Sequence, residues 1–163
     1  MAYEAAWRSF PDAEPCLGTL SRVAQIAVLS NGDQGQQEEK VSRTGLSRYI
    51  DVVLTSDHLG VAKPDPRVFE LACGRLGVPT RAAVYVGDQL EADALAATAA
   101  GLRGIWLNRT GETVPSGGEA IKQPSARLRR AIGDRLPIGE FRRSSQRWAF
   151  RVQTVDVAWL LPV

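Results

Sequence analysis

The chain is poor in the side chains that build metal–thiolate, redox or disulfide chemistry: 163 residues contain two cysteines, one histidine and one methionine. Cys16 and Cys73 lie in helix-like stretches without metal-ligand spacing, so they read as reduced, partly buried thiols of a cytoplasmic protein. The single histidine, in Ser56-Asp57-His58-Leu59-Gly60, reads as a solvated loop residue rather than a ligand. No apolar run approaches the roughly 20 residues that cross a bilayer, so no membrane partner is expected. Met1 to Phe10 carries Glu4 and Arg8 among its apolar residues and is not expected to act as a signal peptide. No internal repeat is found.

Net charge is small, +2, but unevenly distributed. Residues 1–119 hold 11 Lys/Arg against 15 Asp/Glu, whereas residues 120–163 hold 9 against 3. The basic balance therefore belongs to the tail, where charge reads as solvated surface and gives no argument for nucleic acid.

What is present is an alternation of short apolar runs and amphipathic segments. Residues 4–22 read as a helix, a turn at Phe10-Pro11-Asp12, and a second helix with Glu14-Pro15 in its first turn. Strands are expected near 25–30, 51–55, 82–87 and 104–107, with helices over 36–44, 66–76 and 92–100 between them. Apolar runs alternating with helices indicate a parallel sheet covered on both sides, a three-layer α/β/α Rossmann-like fold. Residues 110–118 read as loop. Beyond them an Arg-rich stretch leads to Trp148–Leu161, which could form one more strand.

Polar clusters follow the apolar runs, at the carboxyl ends where parallel sheets bind ligands. The Ser30 hydroxyl and the backbone amides of Ser30-Asn31-Gly32 can cradle phosphate oxygens. Lys63, in a loop stiffened by Pro64 and Pro66, can neutralise a phosphate or a developing negative charge. Asp88 and Asp93, without Cys or His nearby, suit a hard cation such as Mg²⁺. Each piece also has a plainer reading: a common turn, an exposed loop with Asp65 as helix cap, a capping Asp88, a solvent-facing Asp93. The ordered set is more specific than its parts.

That ordered set resembles motifs II, III and IV of the haloacid dehalogenase superfamily. The residues are Val28-Leu29-Ser30-Asn31-Gly32, then Gly60-Val61-Ala62-Lys63-Pro64-Asp65-Pro66 with Phe69, then Val86-Gly87-Asp88 with Asp93, Ala97, Ala100 and Gly101. The likeness spans roughly residues 5 to 120. It implies that Ser30, Asn31 and Gly32 bind a phosphoryl group, that Lys63 stabilises its charge, and that Asp88 with Asp93 holds Mg²⁺. It also implies a small phosphorylated metabolite as substrate. Gly87-Asp88 favours phosphoryl chemistry, since the dehalogenases lack that metal ligand.

The family's first motif, Asp-x-Asp, supplies a nucleophile and an acid–base, and no Asp-x-Asp occurs in the chain. The expected organisation is thus the end of a cap and its following helix over 1–22, a core over 23–119 that is incomplete at its N-terminus, and a basic tail over 120–163. Such a chain is expected to be an inactive or weak hydrolase, or else a non-catalytic phosphate- or metal-binding remnant, or a fragment completed by another chain. Asp156-Val157-Ala158 is the nearest thing to a displaced first motif, with alanine at its second acidic position, and a permuted motif is the lesser reading. Without the first-motif strand the sheet has a vacant lane between residues 25–29 and 82–86. Direct pairing of those two strands is the first expectation, insertion of 148–161 the second, and a strand from a partner chain the third.

Overall fold

The computed structural model describes residues 7–116, 120–121 and 152–155. The chain order is α1 (Ala13–Leu20), β1 (Gln25–Ser30), α2 (Gln34–Arg43), β2 (Val52–Thr55), α3 (Ser56–Leu59), α4 (Arg67–Leu76), β3 (Ala83–Gly87), α5 (Ala96–Ala99), β4 (Arg103–Leu107), β5 (Ala120–Ile121) and β6 (Val152–Val155). The strands form one parallel sheet in the order β2-β1-β6-β3-β4-β5.

The period-two alternation of the strands sorts the core onto two faces. Ile26, Val28, Val84, Val86, Ile105 and Leu107 point to one side and pack against α1. There Ala13, Cys16, Leu17 and Leu20 are buried, an i, i+3, i+4, i+7 stripe. Leu29, Ala83 and Tyr85 point to the other side, against α4 and α5. Full burial of Leu17, Leu20 or Phe69 contributes about 1.5–3 kcal/mol each. The result is the three-layer α/β/α sandwich expected from the alternation of elements. Among the described residues, no helix is long and apolar enough to cross a membrane.

Local chemistry sets several boundaries. Asp33 starts α2 by accepting a hydrogen bond from the Gln36 amide at 2.8 Å. Asp51 aligns β1 with β2: its carboxylate accepts from the Ile26 amide at 2.7 Å while its own amide donates to the Ile26 carbonyl at 2.8 Å.

Three expectations require correction. Residues 7–10 are not helical, and residues 1–6 lie outside the described residues. Tertiary contacts hold this segment instead: Arg109 makes a two-pronged ion pair with Asp12 at 3.0 and 2.9 Å, and its guanidinium covers the Phe10 ring at 3.9 Å. The helix expected from residue 92 begins at Leu90 as a π-helical turn running to Leu95. The Gln89 carbonyl accepts from both Asp93 and Ala94, at 3.0 and 3.4 Å, so the turn takes in an extra residue.

The third correction concerns the vacant lane. β1 and β3 do not pair with each other. β6 lies between them, parallel to both, with Val152 level with Gln25 and Ala83 and Val155 level with Val28 and Val86. Direct pairing would have to close a full strand spacing, about 4.8 Å, beneath helices on both faces. A β-branched segment in the lane satisfies both edges without that collapse.

This placement makes β6 a central strand. Thr154→Pro removes an amide from the middle of the sheet and is expected to cost about 3 kcal/mol or more, read as a lower urea midpoint. An unchanged midpoint would show that β6 is not part of the sheet's centre.

Candidate active site

Lys63 and Asp93 form the centre of the polar cluster. The Lys63 ammonium lies 2.7 Å from Asp93 Oδ1, and the two side chains are 5% and 0% exposed. Burial at that level makes the pair interdependent: removing one partner strands a charge at a cost of about 3–5 kcal/mol. Tyr85 completes the arrangement from β3. Its hydroxyl accepts from Lys63 Nζ at 3.0 Å, donates to the Leu29 carbonyl at 3.1 Å and lies 3.3 Å from Asp93 Oδ1. Burial first, and then the Asp93 charge, raises the phenol well above its ordinary pKa, so it stays neutral.

Asn31 brings the Lys63 loop to the end of β1. Its carboxamide donates to the Lys63 carbonyl at 3.0 Å and accepts from the Lys63 amide at 2.9 Å. Both ends of the side chain are therefore occupied in holding the loop. The Gly32 amide donates to Ser56 Oγ at 2.9 Å, and Ser30 Oγ makes a long contact, 3.3 Å, with the neighbouring Asn31 carbonyl. Thus Asn31, Lys63 and Asp93 are joined directly, while Ser30 and Gly32 sit at the β1 terminus beside them.

Asp88 follows β3, and its main chain is anchored by Trp106, whose indole donates to the Asp88 carbonyl at 3.0 Å. Gly87 is required by the close approach of Asp93: a Cβ there would lie 2.3 Å from the Asp93 side chain. Gly104 is its counterpart on β4, where a Cβ would stand 1.9 Å from the Ala94 carbonyl oxygen and push the π turn away. Two glycines therefore let the turn carry Asp93 inward under β3 and β4.

Burial raises the Asp88 pKa, the Asp93 charge adds to the effect, and the Lys63 charge partly offsets it. Asp88 Oδ1 is buried without a hydrogen-bond partner. An unpaired buried carboxylate oxygen suits a hard cation, and Mg²⁺ binds through one or two carboxylates while keeping several waters. Among the described residues no group of three or more His, Cys, Asp or Glu side chains gathers into a self-sufficient metal cage. A groove of about 590 Å³ lies along the outer side of β2, lined by Gln34, Glu38, Ile50, His58 and Arg75 among others. It includes none of the residues of this cluster.

Of the residues singled out from the sequence, Ser30, Asn31, Gly32, Lys63, Asp88 and Asp93 lie at or near the ends of β1 and β3, whereas Tyr85, bonded to Lys63 at their centre, was not anticipated. The available signal was a hydroxyl inside an apolar run, since a buried phenol needs a partner.

The chain belongs to the haloacid dehalogenase-like hydrolases, whose family model matches residues 1–101. It is 37% identical over 108 residues to pyrimidine 5'-nucleotidase YjjG of Escherichia coli K12, covering 66% of this chain and 48% of that protein. It is 38% identical over 101 residues to a phosphoserine phosphatase of Thermus thermophilus, covering 61% of this chain and 41% of the other. Among solved structures, a HAD phosphatase from Thermococcus onnurineus superimposes with a TM-score of 0.70 at 33% identity, over 76% of this chain and 58% of that one. A 2-haloacid dehalogenase from Pseudomonas syringae does so with 0.66 at 33%, over 76% and 52%. The chain thus spans less than half the length of these two curated relatives.

Two outcomes follow from the geometry. Gly87→Ala forces Asp93 from its position and is expected to destabilise the fold by about 1–3 kcal/mol, measured by urea denaturation. Asp88 has its folded pKa raised above the ordinary 3.8, so the native state holds its proton more tightly than the unfolded chain. Its penalty is absent below the unfolded pKa and grows as pH rises through the folded one. Asp88→Asn should therefore be more stable than the native sequence at about pH 7 in metal-free buffer, the gap closing towards about pH 4. A constant gap across that range would contradict the burial of an ionised Asp88.

Proposed function

We propose that this chain is a Mg²⁺-dependent phosphoryl-handling core that acts on small phosphorylated metabolites in the cytoplasm, and that it is a weak turnover catalyst. The observation that carries the reading is the arrangement at the strand ends: a buried lysine held by Asp93 and Tyr85, next to a carboxylate with one unpaired buried oxygen. Lys63 offers a fixed positive charge to phosphoryl oxygens and needs no reorganisation to do so. Ser30 at the end of β1 offers a hydroxyl, and Asn31 fixes the loop that carries Lys63. Asp88, supported by Asp93, would hold Mg²⁺, which when bound neutralises charge on the phosphoryl group. The relatives named as a nucleotidase and as a phosphoserine phosphatase support a small phosphomonoester as the ligand class. The dehalogenase relative leaves Asp88 as the discriminating feature, because a metal carboxylate serves phosphoryl transfer.

Positioning and electrostatics without the family's paired carboxylates leave only residual rate. No Asp-x-Asp occurs in the chain. Turnover of alkyl phosphomonoesters is accordingly expected far below the usual range of about 1–1000 s⁻¹.

Calorimetric titration tests the site. Mg²⁺ is expected to bind the native sequence and to lose most of its affinity in Asp88→Asn, and inorganic phosphate is expected to bind more tightly once Mg²⁺ is present. Equal Mg²⁺ affinity in the two proteins, or no phosphate binding, would remove the reading.

A further inference from the structure

Among the described residues three side-chain atoms are buried without a hydrogen-bond partner: Asp88 Oδ1, Arg109 Nε and Gln37 Oε1. The first suits a cation, and Arg109 is tied to Asp12 through its other two nitrogens. Gln37 is the unexplained case. It stands one turn into α2, where its amide donates to the Asp33 carbonyl at 3.2 Å, and it shares the buried face of that helix with Val41, four residues on. A glutamine that is 5% exposed needs polar partners. Its Nε2 finds a loose one, donating to the Asn31 carbonyl at 3.4 Å. Gly32 permits the approach: a Cβ there would stand 3.0 Å from Nε2, and its φ of +128° lies in the region that favours glycine.

The Asn31 carbonyl has a second donor, the Ser30 hydroxyl at 3.3 Å. Both contacts are long against the usual lengths, about 2.7–2.8 Å for a hydroxyl donor and about 2.9–3.0 Å for an amide. One carbonyl therefore holds two loose donors, one from the phosphoryl site and one from α2.

We propose that Gln37 is a positioning residue for phosphoryl binding, which takes over the Asn31 carbonyl when the Ser30 hydroxyl leaves it for a phosphoryl oxygen. The inference rests on the functional reading above. A serine hydroxyl has one proton to donate, so giving it to a phosphoryl oxygen ends its bond to Asn31. A part-buried carbonyl that loses its donor opposes ligand binding. Gln37 Nε2 already points at that carbonyl and shortens onto it. The unpaired Oε1 permits the movement, because no bond at the other end of the carboxamide has to break. The carbonyl belongs to the residue whose side chain grips the Lys63 loop at both ends. Holding it in place keeps the Ser30 hydroxyl and the Lys63 charge aimed at the same phosphoryl group.

Inorganic phosphate is titrated calorimetrically, with Mg²⁺ saturating, into the full chain, Gln37→Met, Ser30→Ala and the double variant. Methionine keeps the length of the side chain and removes its donor. Gln37→Met is expected to weaken phosphate binding about three- to tenfold while Mg²⁺ affinity without phosphate stays unchanged. In the Ser30→Ala background the same change is expected to cost less than about twofold, because the ligand then takes nothing from Asn31. A second measurement uses the native chain and depends on no variant's folding. The Gln37 carboxamide protons are expected to move downfield in the nitrogen–proton correlation spectrum as phosphate is added. No loss in Gln37→Met, an equal loss in both backgrounds, or a matching loss of Mg²⁺ affinity overturns the inference. Gln37 signals that stay in place on a native chain that binds phosphate do the same. A native chain that binds no phosphate overturns the functional reading beneath it as well.

Discussion

The backbone N–H and C=O groups on the facing edges of β1 and β3 lie in the interior of a sheet covered by helices on both sides. In that position each unpaired group costs about 1–3 kcal/mol, and water cannot supply the partner as it can at an outer edge. β6 supplies it along both edges at once. The spacing of β1 from β3 follows from that strand, and with it the spacing between Ser30 and Asp88. The sandwich of α1 against one face and α4 with α5 against the other is built on the same lane width.

Within that frame the buried Lys63–Asp93 pair links three separate parts of the chain. Asn31 at the end of β1 grips the lysine's main chain, Tyr85 from β3 receives its ammonium, and the π turn after β3 brings Asp93 to it. A buried ion pair is weak evidence for stability in itself, because desolvation offsets attraction. Its value here lies in geometry. It fixes a positive charge beside the Asp88 carboxylate, whose own ionisation burial resists.

Much of this was legible in the sequence because the informative features are abrupt. Leu29 to Ser30 and Gly87 to Asp88 are sharp changes from apolar to polar, and such changes mark strand ends whatever the tertiary contacts. Ser30, Asn31 and Asp88 were singled out for that reason, whereas Lys63 was singled out from its proline-stiffened loop and Asp93 from the start of a helix. Three features were not legible, for different physical reasons. The π turn at Leu90–Leu95 is invisible to helix propensity because it arises from the inward demand of Asp93, made possible by Gly87 and Gly104. The irregular path of residues 7–10 depends on Arg109, far away in sequence. The choice between direct pairing and insertion depended on β6, which comes from a part of the chain far from both β1 and β3 in sequence, and no local pattern encodes that pairing. Asn31 shows an intermediate case: its presence at the strand end was readable, its two-ended grip on Lys63 was not.

The central claim is that the ends of β1 and β3 hold a phosphoryl group and Mg²⁺ together. A crystal structure grown with Mg²⁺ and tungstate, a heavy phosphate mimic, tests it most directly. The account predicts anomalous tungstate density between Ser30 and the Lys63 ammonium, with Mg²⁺ on the otherwise unpaired Oδ1 of Asp88. Tungstate confined to the groove beside β2, near His58 and Arg75, with no cation at Asp88, would contradict it.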